Sequence, residues 1–90
     1  MSVAGYEALV EVQLRPGVAD PQGATIEHAL GALGFNGVSK VRAGKAFRLQ
    51  VDAPDASAAR RLVEEICARL LANPVIEVSA VSLEPLGEVA

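Results

Sequence analysis

The sequence contains a single cysteine, Cys67, so no internal disulfide can form and no paired thiols are available to hold a metal. It contains a single histidine, His28. General acid–base work on an imidazole needs a partner and a pocket, and His28 falls opposite the apolar face of its helical segment. Tryptophan is absent, and Tyr6, Phe35 and Phe47 are the only aromatic residues. The core must therefore come from Val, Leu, Ile and Ala, which bring roughly 1.5–3 kcal/mol per fully buried large aliphatic side chain. Long apolar runs are missing too: none approaches the roughly 20 residues that cross a bilayer. No basic segment followed by an apolar run opens the chain, so no secretory signal is expected. Positive charge is scarce, with 8 basic against 11 acidic residues and a formal net charge of −3. Arg60–Arg61 is the only adjacent basic pair, which argues against a nucleic-acid partner and against a polybasic membrane anchor. A reducing, cytoplasmic setting fits these absences.

What is present is a 90-residue chain, 51% hydrophobic and 21% charged, which reads as one globular domain spanning 1–90 with a core over about 6–83 and short flexible ends. A domain this small buries a modest share of its surface, so part of its stability is expected from self-association. Tyr6 to Leu14 alternates apolar and polar residues and reads as a strand, with Leu9 an apolar exception on the polar face. Arg15-Pro16-Gly17-Val18 reads as a turn. Asp20 suits a helix N-cap and Pro21 the first helical position. This first helix runs to about Leu33 with Ile26, Ala29, Leu30 and Leu33 on one face, and Gly34 stops it.

Phe35 to Ala43 reads as a second strand, Gly44-Lys45 as a tight reversal, and Lys45 to Asp52 as a third strand. Asp55 caps a second helix carrying Ala59, Leu62, Val63, Ile66, Leu70 and Leu71 as a wide apolar stripe, with Cys67 beside it. Arg60–Glu64, Arg61–Glu65 and Glu65–Arg69 are spaced four apart on its outer surface. Asn73-Pro74 ends the helix, Val75 to Leu83 forms the last strand, and the residues from Pro85 on form a tail. The order β-α-β-β-α-β specifies an α+β, two-layer ferredoxin-like sandwich: an antiparallel sheet with two helices on one face. The other face of such a sheet is open to a neighbouring subunit.

No phosphate-binding loop of the Walker type, dinucleotide glycine fingerprint or metal-spaced cluster occurs in the sequence. The reading therefore expects no catalytic, cofactor or metal residues in this chain. Two rival classes share the predicted fold. An ACT-like module would bind a free amino acid, and an acylphosphatase-like enzyme would need an arginine in a glycine-rich loop with a matching asparagine, a pattern that Arg15 and Asn73 do not make.

Two stretches go beyond what the fold requires: Leu14-Arg15-Pro16-Gly17-Val18-Ala19-Asp20-Pro21-Gln22-Gly23, continuing to Ile26, Ala29-Leu30 and Leu33-Gly34-Phe35, and Cys67-Ala68-Arg69-Leu70-Leu71-Ala72-Asn73-Pro74-Val75-Ile76-Glu77, with Val41-Arg42-Ala43-Gly44-Lys45 between them. Together they resemble the PurS family, the small subunit of phosphoribosylformylglycinamidine synthase, over about Val10 to Val81. The resemblance implies a non-catalytic adaptor that bridges two larger partners, the glutaminase PurQ and the synthetase PurL, and assists ammonia transfer between them. The assembled enzyme it implies converts formylglycinamide ribonucleotide, glutamine and ATP to formylglycinamidine ribonucleotide, glutamate, ADP and phosphate. ATP and magnesium would act in PurL, and this chain would self-associate as a dimer or tetramer. Arg15, Gln22, Arg42, Lys45 and Leu9 are the candidate partner contacts. Pro16, Gly17, Asp20, Pro21, Gly44, Asn73 and Pro74 are expected to shape turns and caps.

Overall fold

The computed structural model describes residues 3–86. Its elements are strand β1 (Ala4–Leu14), helix α1 (Pro21–Ala32), strand β2 (Gly44–Ala53), helix α2 (Ala56–Ile66) and strand β3 (Glu77–Pro85), with one π-helical turn, Cys67–Leu71, extending α2. The three strands form one antiparallel sheet in the order β2-β1-β3. The α+β class is as expected. Residues 1, 2 and 87–90, where flexible ends were expected, lie outside the described residues.

Register explains the core. Val10 pairs with Phe47 on β2 and Val81 on β3, and Ala8 pairs with Leu49 and Leu83. Directly paired residues share a face, so the alternation along β1 places Tyr6, Ala8, Val10 and Val12 in one buried row. Helix α2 lies on that row with Ala59, Val63 and Cys67, all completely or almost completely buried. The opposite sheet face is polar: Glu7 pairs with Gln50 and Glu84, and Arg48 reaches Glu7 at 3.8 Å. Leu9, flanked by Arg48 and Ser82, is the half-buried apolar residue there.

Several expectations need correction. The segment 35–43 forms no strand, so the six-element ferredoxin-like order is reduced to three strands, and Gly44-Lys45 is the start of β2 instead of a reversal. The reason is local. Asn36-Gly37 forms a turn, and Lys40 takes a positive φ of 57°, which breaks an extended run. The amides of Val41 and Ala43, which a strand ladder would use, donate instead to the carboxylates of Glu27 and Asp20.

Second, the two helices do not share the sheet face. Only α2 makes extensive contact with the strands, and Gly23 is the only buried residue of α1. The apolar residues on and just beyond α1 stay largely open, Ile26 being 41% and Leu33 73% exposed, in a molecule of 57 × 35 × 15 Å. Third, the α2 stripe differs from the one expected. Ala59, Val63, Cys67 and Leu71, spaced by four, lie against the core, while Leu62 points away and the wide π turn that starts at Cys67 carries Leu70 outward. Cys67 is thus a core residue, consistent with free cysteine acting as a small hydrophobe. Of the expected surface pairs, Glu65–Arg69 forms at 3.2 Å, whereas Arg60 donates to the Val81 carbonyl.

The last strand begins two residues later than expected, because Val75 and Ile76 belong to a turn. It also continues through Pro85, where a tail was expected, and Leu86 N–H still bonds to the Gly5 carbonyl at 3.0 Å.

Candidate functional site

Most of the candidate residues gather at one end of the sheet, where β1 finishes and β2 and β3 begin. Arg15-Pro16-Gly17-Val18 forms a turn closed by Val18 N–H to the Arg15 carbonyl at 3.1 Å. Gly17 sits at φ 87° in its third position, the geometry of a type II turn with proline second. The chain then enters α1 through Asp20, whose carboxylate accepts from Gly23 N–H at 2.9 Å while Pro21 fills the first helical position. The helix closes with Gly34 at φ 94°, and Phe35 N–H reaches back to the Leu30 carbonyl.

Asp20 does more than cap. Its second oxygen accepts from Ala43 N–H at 2.8 Å, tying the helix start to the strand that follows. The Gly23 amide, then the Ala43 amide, hold its carboxyl below the ordinary 3.8; desolvation opposes them, and the Arg42 charge adds a smaller lowering. A depressed folded-state pKa stabilises the fold fully above the unfolded value, and that contribution is lost as pH falls through the folded one. Asp20→Asn, which can satisfy only one of the two amides through its carbonyl oxygen, is therefore expected to melt below wild type at pH 7. Thermal melts from pH 7 to pH 3 should show the gap narrowing as wild-type Asp20 protonates; a gap independent of pH would refute the latch.

At the other side of this end, residues 73–77 form a tightly bonded turn. Asn73 N–H donates to Glu77 Oε1 at 2.7 Å, Val75 N–H donates to Asn73 Oδ1, and both Ile76 and Glu77 amides donate to the Asn73 carbonyl. Arg15 fastens this turn to β1: its Nε and Nη2 donate to the Pro74 carbonyl at 3.0 and 2.9 Å, and its amide donates to the Ile76 carbonyl. Arg42 Nη2 reaches the carbonyls of Leu14 and Arg15 at 3.3 and 3.4 Å. Lys45 Nζ lies 3.6 Å from Glu77 Oε2. Gln22, exposed in the first turn of α1, lines a small cleft with Lys45 and Glu77.

The structure thus brings Arg15, Gln22, Arg42 and Lys45 to one end and leaves Leu9 apart on the polar sheet face. Arg42 and Lys45 do not flank a reversal, because β2 begins at Gly44. Gly44 faces the β1 backbone so closely that a Cβ there would lie 2.7 Å from the Val12 carbonyl oxygen. Sequence reasoning gave Gly23 no role, yet it packs against the Asp20 carboxylate and the Val41 carbonyl. The signal available was its position three residues after a capping aspartate. Among the described residues, no group of three or more His, Cys, Asp or Glu is placed to hold a metal ion.

Comparison with known proteins places this arrangement. Residues 7–85 match the family model described as PurS, phosphoribosylformylglycinamidine (FGAM) synthase. The chain belongs to the PurS family. The PurS subunit of the synthase from Synechocystis is 44% identical over 72 residues, covering 80% of this chain and 72% of the relative. The crystal structure of Methanocaldococcus jannaschii PurS aligns with a TM-score of 0.83 at 38% identity, covering 91% of this chain and 99% of that one. A chain in the structure of PurLQS from Thermotoga maritima aligns with a TM-score of 0.78 at 35% identity, covering 96% and 100%. A PurS chain is a subunit of FGAM synthase, a glutamine-dependent ligase of purine biosynthesis. The PurS assignment sets the ACT-like and acylphosphatase-like readings aside.

Proposed function

We propose that this chain is the non-catalytic adaptor of FGAM synthase, holding the PurQ glutaminase and the PurL synthetase together so that ammonia released by one reaches the other. The observation that carries the reading is the likeness, over 96% of the chain, to a chain of the PurLQS structure from T. maritima. The physical logic is proximity. Ammonia released into bulk water is protonated and diluted, so two active sites that exchange it gain from being held in fixed geometry. A rigid, hydrogen-bonded small domain supplies that geometry without chemistry of its own. ATP and magnesium act in PurL, and the complex works in the cytoplasm.

Self-association as a dimer or tetramer belongs to the same reading. The exposed apolar side chains Ile26, Leu33 and Phe35 on and just beyond α1 are the feature that supports it. Sedimentation of the isolated chain tests this: a species heavier than the monomer is expected, and a monomer at high concentration would contradict it. Co-elution with PurL and PurQ of the same organism tests the bridging role, with all three chains expected in one peak.

A further inference from the structure

Resting on the adaptor reading, we propose that the end of the sheet carrying Arg15, Arg42 and the turn at Val75 is a docking surface for an acidic segment of a partner subunit. Both arginines are exposed and seated on backbone carbonyls, Arg15 on Pro74 and Arg42 on Leu14 and Arg15. Neither forms an ion pair among the described residues, where the paired cations are Lys45, Arg48 and Arg69. The carboxylates nearby are already engaged. Asp20 accepts from the Gly23 and Ala43 amides, Glu27 from the Val41 amide, and Glu77 from the Asn73 amide with Lys45 beside it. Two guanidinium groups are thus held in place with N–H groups to spare and no direct ion pair, the Asp20 carboxylate feeling the Arg42 charge only as its smallest influence. A fixed guanidinium fork is a stronger carboxylate receptor than a mobile one, because less freedom is lost on binding.

Beside them stands an apolar contact. Val75 is 79% exposed in a turn closed by four bonds through Asn73 and clamped by Arg15, so its presentation costs little further ordering. Arg42 donates to the Arg15 backbone carbonyl and the Arg15 guanidinium to the carbonyl of Pro74, the neighbour of Val75, so the three residues stand at the same end of the sheet. The complement of this end is a segment with carboxylates flanking an apolar residue.

The test titrates full-length Arg42→Gln and Val75→Asp chains into the PurL and PurQ partners, with circular dichroism and melting curves checking that each variant is folded. Each is expected to weaken assembly at least tenfold. Wild-type assembly is expected to weaken steeply between 50 and 200 mM sodium chloride, and Arg42→Gln to flatten that dependence. Arg42→Lys should recover part of the loss. Wild-type assembly by both folded variants would overturn the proposal. Displacement of the partner by millimolar inorganic phosphate, with phosphate bound at Arg15 and Arg42, would also overturn it by making the surface a phosphate site. Failure of the wild-type chain to assemble at all is the separate result that would remove the adaptor reading and this surface with it.

Discussion

Val63→Asp is expected to leave no folded chain at neutral pH, read as loss of the cooperative thermal transition and of the native circular dichroism spectrum. Val63 has no exposed surface and sits among Ala8, Val10, Val12, Ala59 and Cys67. No buried polar group is found among the described residues, so a carboxylate there has no donor to meet. An unpaired buried charge costs about 3–5 kcal/mol or more, against a total stability of about 5–15 kcal/mol for an ordinary domain. The effect is amplified by architecture. Helix α2 alone covers the inner sheet face, so nothing else can close the core if it detaches. Leu62→Asp is the control: one position away on the same helix but pointing outward, it is expected to cost no more than about 1 kcal/mol. Equal damage from both substitutions would show that α2 is not the element that holds the core.

Gly23→Ala is expected to destabilise the chain by about 2 kcal/mol, although the same change in an open helix stabilises by roughly 1 kcal/mol. A Cβ at this position would lie 2.5 Å from both Asp20 Oδ2 and the Val41 carbonyl oxygen. The carbonyl is backbone, so the loop over 38–43 must shift, and with it the Asp20–Ala43 and Glu27–Val41 bonds that hold it. Gly31→Ala provides the contrast, because nothing lies within 4 Å of its added Cβ. Urea unfolding of the two variants should move the midpoint down for Gly23→Ala and up or not at all for Gly31→Ala. Similar midpoints would mean that α1 does not seat closely on the 41–43 backbone.

The same contacts explain what could be read from the residues and what could not. β1 was legible because its alternation is broken only at Leu9 and its register places Tyr6, Ala8, Val10 and Val12 under one helix. The caps were legible for a similar reason: Asp20 before Pro21, and Asp55 before α2, accept the first-turn amides that the pattern demands. The segment 35–43 misled because its amides are satisfied by two side chains, Asp20 and Glu27, that are distant in sequence. Periodicity carries no information about a donor's partner. The π turn misled for another reason: its extra residue carries Leu70 outward where a 3.6-residue count puts it on the Val63 face. As for the candidate contacts, their residue types were legible but their environment was not. Arg15 looked free in sequence, yet its guanidinium clamps the Pro74 carbonyl, so it both builds the surface and offers it.

Synthase activity of PurL and PurQ with and without this chain, driven by glutamine or by high external ammonia, measures the coupling most directly. An adaptor that couples two sites predicts that glutamine-dependent turnover collapses without the chain while ammonia-dependent turnover persists. Equal glutamine-dependent turnover in both mixtures would contradict it.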